Sequence, residues 1–201
     1  MSKDFIADDG KPRCQWCGAA PEFLDYHDQE WGFPVKDDIR LFEKLCLESF
    51  QSGLSWRTIL NKRENFRRAF HGFDFNRIAA FTDKDVERLL QDEGIVRHRG
   101  KIEAVINNAR CAQALVKQQG SLAAFLWRYE PDPADLTKPQ SASTSEQSVA
   151  LSKALKKMGW KFVGPTTVYA FMQAMGLVND HSETCIIRKQ VAKAHSQFKL
   201  P

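Results

Sequence analysis

An all-α fold is the expectation for this chain, and three observations lead to it. Apolar residues recur at helical spacing through most of the sequence, capping residues stand where periodic segments begin, and alternating β-branched runs separated by hairpin turns are missing. From Asp37 or Asp38, either a reasonable N-cap, Ile39, Phe42, Leu45, Cys46 and Phe50 mark one helix. Ile102, Val105, Ile106, Ala109, Ala112 and Val116 mark a longer one. Further helices are expected at Asn61 to Phe70, Asp83 to Gln91, Leu122 to Tyr129, Glu146 to Lys157 and Pro165 to Met175, seven or so in all. Tyr129-Glu130-Pro131-Asp132-Pro133 stops a helix, and the polar stretch Lys138 to Ser145 ends in Thr144 or Ser145, either able to cap the next one.

The 201 residues suffice for one substantial core, and 43% apolar with 27% charged residues is ordinary for a globular protein. No apolar run is long enough to span a membrane, and Met1 to Pro12 lacks the apolar centre of a signal peptide, so cytoplasm is the expected location. The five cysteines are an odd number, which favours reduced thiols over a disulfide framework. Net charge is only +4, but Lys62 to Arg68, Arg97 to Lys101 and Lys153 to Lys161 are basic stretches interleaved with apolar residues. Each is read alone as a solvated helix face; three together favour a phosphate-binding surface.

Cys14 and His27 near one end and His181 and Cys185 near the other would complete a tetrahedral Zn²⁺ set, closed to water and therefore structural. The second spacing would place both side chains on one side of a helical turn. Spacing leaves another choice open, because Cys14 and Cys17 form a Cys-x-x-Cys that could bind zinc with both sulfurs and leave His27 free. Between the two ends, Glu48 falls seven residues after Leu41 and borders the apolar sector of its helix, where a carboxylate could be partly desolvated. The plainer reading is a solvated Lys44 to Glu48 pair at i,i+4. Trp16, Phe23, Tyr26, Trp31 and Trp56 flank this carboxylate in sequence.

From Arg13 to Cys185 the chain closely resembles the 3-methyladenine DNA glycosylase I family of the helix-hairpin-helix superfamily. The resemblance rests on Arg13-Cys14 with Trp16, Tyr26-His27-Asp28, Glu30-Trp31-Gly32, Cys46-Leu47-Glu48, Gly53-Leu54-Ser55-Trp56 and Lys62-Arg63-Glu64-Asn65. It continues through Arg97-His98-Arg99-Gly100-Lys101-Ile102, Leu155-Lys156-Lys157, Phe162-Val163-Gly164 and Gly176-Leu177-Val178-Asn179-Asp180-His181. It implies a compact helix-hairpin-helix domain over 13–186, between a mobile extension at 1–12 and a basic C-terminal tail at 187–201. A structural zinc held by Cys14, His27, His181 and Cys185 follows from it, with Cys17 an extra thiol.

The implied activity is monofunctional hydrolysis of 3-methyladenine from alkylated double-stranded DNA by a monomer, leaving an abasic site and free base. Glu48 is the implied catalytic residue, in a base pocket formed by Trp16, Tyr26, Trp56, Phe23 and Trp31. At the DNA face the resemblance places Gly53 and Leu54, the latter filling the gap left by the flipped base. Met158 to Pro165 looks like the hairpin, with Lys161 and Gly164 on DNA phosphate. Asp180 is expected to support the ligand His181 or a helix end, not to act on substrate. Ser49 and Phe50 replace a Gly-Gln common in the family, and Phe23 replaces a tyrosine. A catalytically silent, zinc-stabilised DNA-binding module is the alternative from another class.

Overall fold

The structure, a computed structural model, describes residues 4–132, 136 and 138–201; residues 1–3 of the expected extension and Pro133 of the helix stop lie outside them. Among the described residues ten α-helices carry the fold: α1 (Glu22–Gln29), α2 (Asp38–Gln51), α3 (Trp56–Ala69), α4 (Phe75–Ile78), α5 (Asp83–Leu90), α6 (Arg99–Gln119), α7 (Leu122–Leu126), α8 (Glu146–Lys157), α9 (Pro165–Ala174) and α10 (Ile186–Gln197). Short 3-10 segments cover Gln15–Ala19, His71–Phe73 and Trp127–Tyr129. Two strands of two residues each, β1 (Phe5–Ile6) and β2 (Pro12–Arg13), pair antiparallel at Phe5↔Arg13 and Ile6↔Pro12.

Capping chemistry sets the helix starts. Asp37 accepts from Arg40 N at 2.8 Å and begins α2. Asp38 is released for another helix, its carboxylate accepting from Leu122 N and Ala123 N at 3.0 and 2.9 Å at the start of α7. Ser55 caps α3, which therefore begins five residues before the expected Asn61, and Ser145 caps α8.

The centre of the fold is α2. Its residues 41–50 are all buried, with α3, α6, α7 and α9 packed around it. Phe50 is fully buried, 4.6 Å ring to ring from Phe66, which continues to Phe70 and Phe73. Gly176 has φ +83°, and a Cβ there would lie 2.5 Å from the Pro34 backbone. That close approach allows Val35 N to donate to Met175 O and Gly32 N to Ala174 O, tying the segment after α1 to the end of α9.

Parts of the expected N-terminal extension and of the expected basic tail carry secondary structure. Residues 5–6 pair with β2, and Asp4 accepts from Ser182 and Thr184 at 3.3 and 2.5 Å. At the other end, α10 occupies most of the expected basic tail: Val191 is fully buried and Ile187 nearly so, an apolar stripe that needs a core to cover it.

Candidate active site and metal cluster

Four segments enclose a cavity of about 490 Å³: the 3-10 turn with Trp16, α1 with Phe23 and Tyr26, the α2–α3 corner, and α9 with Ala170 and Gln173. Trp31 completes the aromatic wall, and the corner adds Glu48, Gln51, Ser55, Trp56 and Arg57. The rings brace one another, Trp16 edge to face on its neighbours and Tyr26 tilted on Trp56. Trp16 lies 5.8 Å from Phe23 and 5.2 Å from Trp31, and Tyr26 lies 5.3 Å from Trp56. All five expected aromatic residues and the expected carboxylate thus come together. Of the residues departing from the family pattern, Phe23 alone lines the cavity; Phe50 faces the phenylalanine core.

Glu48 is 6% exposed. Its Oε1 lies 2.8 Å from Lys44 Nζ, so the i,i+4 pair of the plainer reading does form, but buried instead of solvated. Lys44 also donates to the Tyr26 hydroxyl at 2.7 Å and sits 3.5 Å from the centroid of the Trp56 ring. Burial pushes the Lys44 ammonium below the ordinary lysine range, opposed by the Glu48 charge. Burial, and then the nearby Glu48 charge, pushes the Tyr26 phenol well up. The sequence reading missed Lys44, whose only signal was its i,i+4 relation to Glu48.

The corner after α2 is held from outside. Lys101 is buried, its Nζ donating to Phe50 O at 2.9 Å and Ser52 O at 2.5 Å, where free carbonyls and the helix dipole favour a cation. Gly53 takes φ +79°, and Leu54 beyond it is 41% exposed. A second exposed turn, between α8 and α9, lies beside this corner. Ser49 Oγ donates to Phe162 O at 2.9 Å, shared with Leu45 O in its own helix. Asn108 accepts from Lys161 N at 2.8 Å and donates to Lys161 O at 2.9 Å, and Asn107 donates to Gly159 O. Lys161 is exposed, and Gly164 is the N-cap of α9 with Pro165 at its first turn.

The basic stretches divide. Lys62 is bonded to the Glu93 and Gly94 carbonyls, Arg63 pairs with Glu30 and Arg67 with Glu43, so Lys62 to Arg68 is largely taken up inside the protein. Lys153, Lys156, Lys157 and Lys161 are exposed and form no ion pair among the described residues.

Behind the aromatic wall, Cys14, His27, His181 and Cys185 are buried with their ligand atoms within 4.8 Å of one another, a group that could hold a metal ion. His181 and Cys185 do not share a helical turn: they flank the turn before α10, with Cys185 as that helix's N-cap. The Asp180 carboxylate accepts from Gln140 N at 2.9 Å and Gln173 Nε2 at 2.6 Å. It is buried, outside the cavity lining, and joined to the cavity through Gln173.

Donor chemistry tests the fit of a metal. His27 Nδ1 faces Asp28 Oδ1 at 2.7 Å, and His181 Nε2 faces the Trp31 carbonyl at 3.0 Å, so each of these nitrogens carries a hydrogen. The lone pairs on His27 Nε2 and His181 Nδ1 then point at each other across 3.2 Å, an arrangement that needs an electrophile between them. Sulfur-to-nitrogen separations of 3.5 to 3.6 Å match the edge of about 3.6 Å expected when metal–sulfur bonds of ~2.3 Å and metal–nitrogen bonds of ~2.05 Å meet tetrahedrally. Cys17, though buried, is outside the group. Arg13 bridges Asp28 and Asp9, which ties the support of His27 to the N-terminal segment.

An all-α domain with a clamped turn between two helices, set beside an aromatic cavity holding one buried carboxylate, is that of a helix-hairpin-helix base-excision glycosylase. The chain belongs to the methyladenine glycosylase family, whose profile matches residues 16–189. It is 49% identical over 177 residues to the DNA-3-methyladenine glycosylase 1 of Escherichia coli strain K12, covering 86% of this chain and 95% of that protein. A crystal structure of a 3-methyladenine DNA glycosylase I superposes with a TM-score of 0.81 at 51% identity, covering 87% of this chain and 98% of the other. A 3-methyladenine DNA glycosylase I of Staphylococcus aureus, whose structure concerns 3-methyladenine recognition, gives 0.80 at 39% identity, with 84% and 92% covered.

Proposed function

We propose that this chain hydrolyses the N-glycosidic bond of 3-methyladenine in alkylated duplex DNA, and that of 3-methylguanine more weakly, leaving an abasic site. The observation that carries this reading is the buried Glu48 carboxylate opening into a cavity walled by Trp16, Phe23, Tyr26, Trp31 and Trp56. Alkylation at N3 makes the adenine cationic and weakens its bond to the sugar, so the enzyme needs little acid catalysis. Its larger task is to select the base. Aromatic faces attract a flat cation, and Glu48 accepts a hydrogen bond from the exocyclic amine. The glycosidic bond then breaks through an oxocarbenium-like sugar that water captures.

The base reaches this cavity by leaving the stack, at a cost of a few kcal/mol. Leu54, exposed on the Gly53 turn, fills the gap. The α8–α9 hairpin grips phosphate without reading sequence, through Lys161 and the amides that begin α9 after Gly164. The exposed lysines of α8 extend this surface. Zn²⁺ bound by Cys14, His27, His181 and Cys185 would supply structure alone, since four protein donors leave no place for water. The protein acts as a monomer in the cytoplasm, and no helix among the described residues is long and apolar enough to cross a membrane.

Chromatography of free bases from methylated duplex DNA tests the reading. The native chain is expected to release 3-methyladenine, and Glu48→Gln to lose at least ~10-fold in rate while keeping its helical content. Retained binding of alkylated DNA without base release would identify a silent binding module instead.

A further inference from the structure

Lys44 has no part in the mechanism above, yet it touches three groups that form the base cavity. It is 5% exposed, and its Nζ lies 2.8 Å from Glu48 Oε1, 2.7 Å from the Tyr26 hydroxyl and 3.5 Å from the Trp56 ring centroid. Glu48, Tyr26 and Trp56 all line the cavity and Lys44 does not, so its ammonium sits behind the wall. Each contact changes what the wall presents. With Oε1 held by the ammonium, Oε2 is the Glu48 atom left to accept from a ligand. With the Tyr26 oxygen accepting from Nζ, the phenolic hydrogen has no protein acceptor among the described residues and is available to a ligand. The cavity thus offers an acceptor and a donor together, which complements an exocyclic amine beside a ring nitrogen, as on adenine. Guanine presents a carbonyl oxygen where adenine presents the amine and meets the Glu48 acceptor with the wrong group.

We propose that Lys44 is a positioning residue that sets the donor–acceptor pattern of the base cavity, and through it the preference for 3-methyladenine over 3-methylguanine. The proposal rests on the base-releasing function argued above. Lys44 acts through Glu48 and Tyr26; the Trp56 and Tyr26 rings between it and the cavity keep it from reaching the sugar as a nucleophile. Other charges around Glu48 are already paired: Glu30 of the segment after α1 with Arg63 of α3, and Arg57 at the cavity rim with Glu22 of α1. From α9 the cavity receives the neutral Gln173, with the buried Asp180 behind it. Lys44 is therefore the cation that compensates Glu48. Without it neither Glu48 Oε1 nor the Tyr26 oxygen has its partner behind the wall, and the donor–acceptor pattern presented to the ligand is no longer fixed.

The experiment measures kcat and KM for release of both bases from methylated duplex DNA, with the native chain and Lys44→Met. The variant is expected to lose about 10-fold in kcat/KM for 3-methyladenine. Its ratio of 3-methyladenine to 3-methylguanine released should fall about fivefold. An unchanged ratio of the two bases would overturn the proposal, as would a covalent enzyme–DNA adduct on borohydride reduction that Lys44→Met abolishes. If Lys44→Met does not fold, the ¹⁵Nζ signal of Lys44 in the native chain decides: it should shift on adding free 3-methyladenine, and a signal indifferent to the base overturns the assignment. A native chain that releases no base would sink the glycosylase reading itself, whereas an active native chain whose base ratio Lys44→Met leaves unchanged sinks the role of Lys44 alone.

Discussion

Phe50 and Leu54 lie four residues apart on either side of the Gly53 corner, and their burial assigns them opposite tasks. Phe50 is fully buried against Phe66 and Phe70, while Leu54 is 41% exposed. Phe50→Ala should cost about 3–5 kcal/mol of stability by leaving a cavity in the aromatic core. Leu54→Ala should leave stability within about 0.5 kcal/mol of native and reduce base excision from duplex DNA. Thermal melts beside excision rates from duplex and single-stranded substrates separate the two. A loss of excision for Leu54→Ala that is equal on both substrates would argue against a wedge, since a single strand has no paired stack to fill.

At the scale of elements, the hairpin between α8 and α9 and the corner between α2 and α3 form one unit. Ser49 of α2 holds the Phe162 carbonyl, and Asn108 of α6 satisfies both backbone groups of Lys161. Phe162 has φ +56°, a conformation that a non-glycine residue adopts only when its surroundings hold it there. Asn108→Ala removes two of those restraints and should cost about 1–3 kcal/mol in stability. It should also raise the Kd for duplex DNA while leaving binding of free 3-methyladenine, followed by tryptophan fluorescence, unchanged. Weakened binding of the free base would mean that Asn108 supports the cavity and not only the hairpin.

For the whole molecule, the four-residue cluster joins segments that begin and end the domain. Cys14 and His27 come from the region before α2, and His181 and Cys185 from the turn before α10. A metal held there ties the chain ends together and, by binding only the folded arrangement, adds its binding energy to folding. One zinc per chain is expected by elemental analysis. Chelation should lower Tm, and Cys14→Ser should lower both metal content and Tm. Full zinc occupancy in that variant would exclude Cys14 as a ligand.

Local signals made much of this legible from the chain alone. The apolar period of α6 and the Pro165 start of α9 identify themselves, and each of two caps is narrowed to a pair, Asp37 or Asp38 and Thr144 or Ser145, because caps and periodicity depend on neighbours a few residues away. Residue patterns around Cys14, Glu48 and Trp56 were enough for the family. Three features were decided only by tertiary packing: the burial of the Lys44–Glu48 pair, the anchoring of the α2 end by Lys101, and the docking of α10 where a basic tail was expected. Helical period shows which residues share a face, but not what covers that face. On α2 every face is covered, so a pair that would be solvated on a surface helix is buried, with Glu48 lining the cavity and Lys44 behind it.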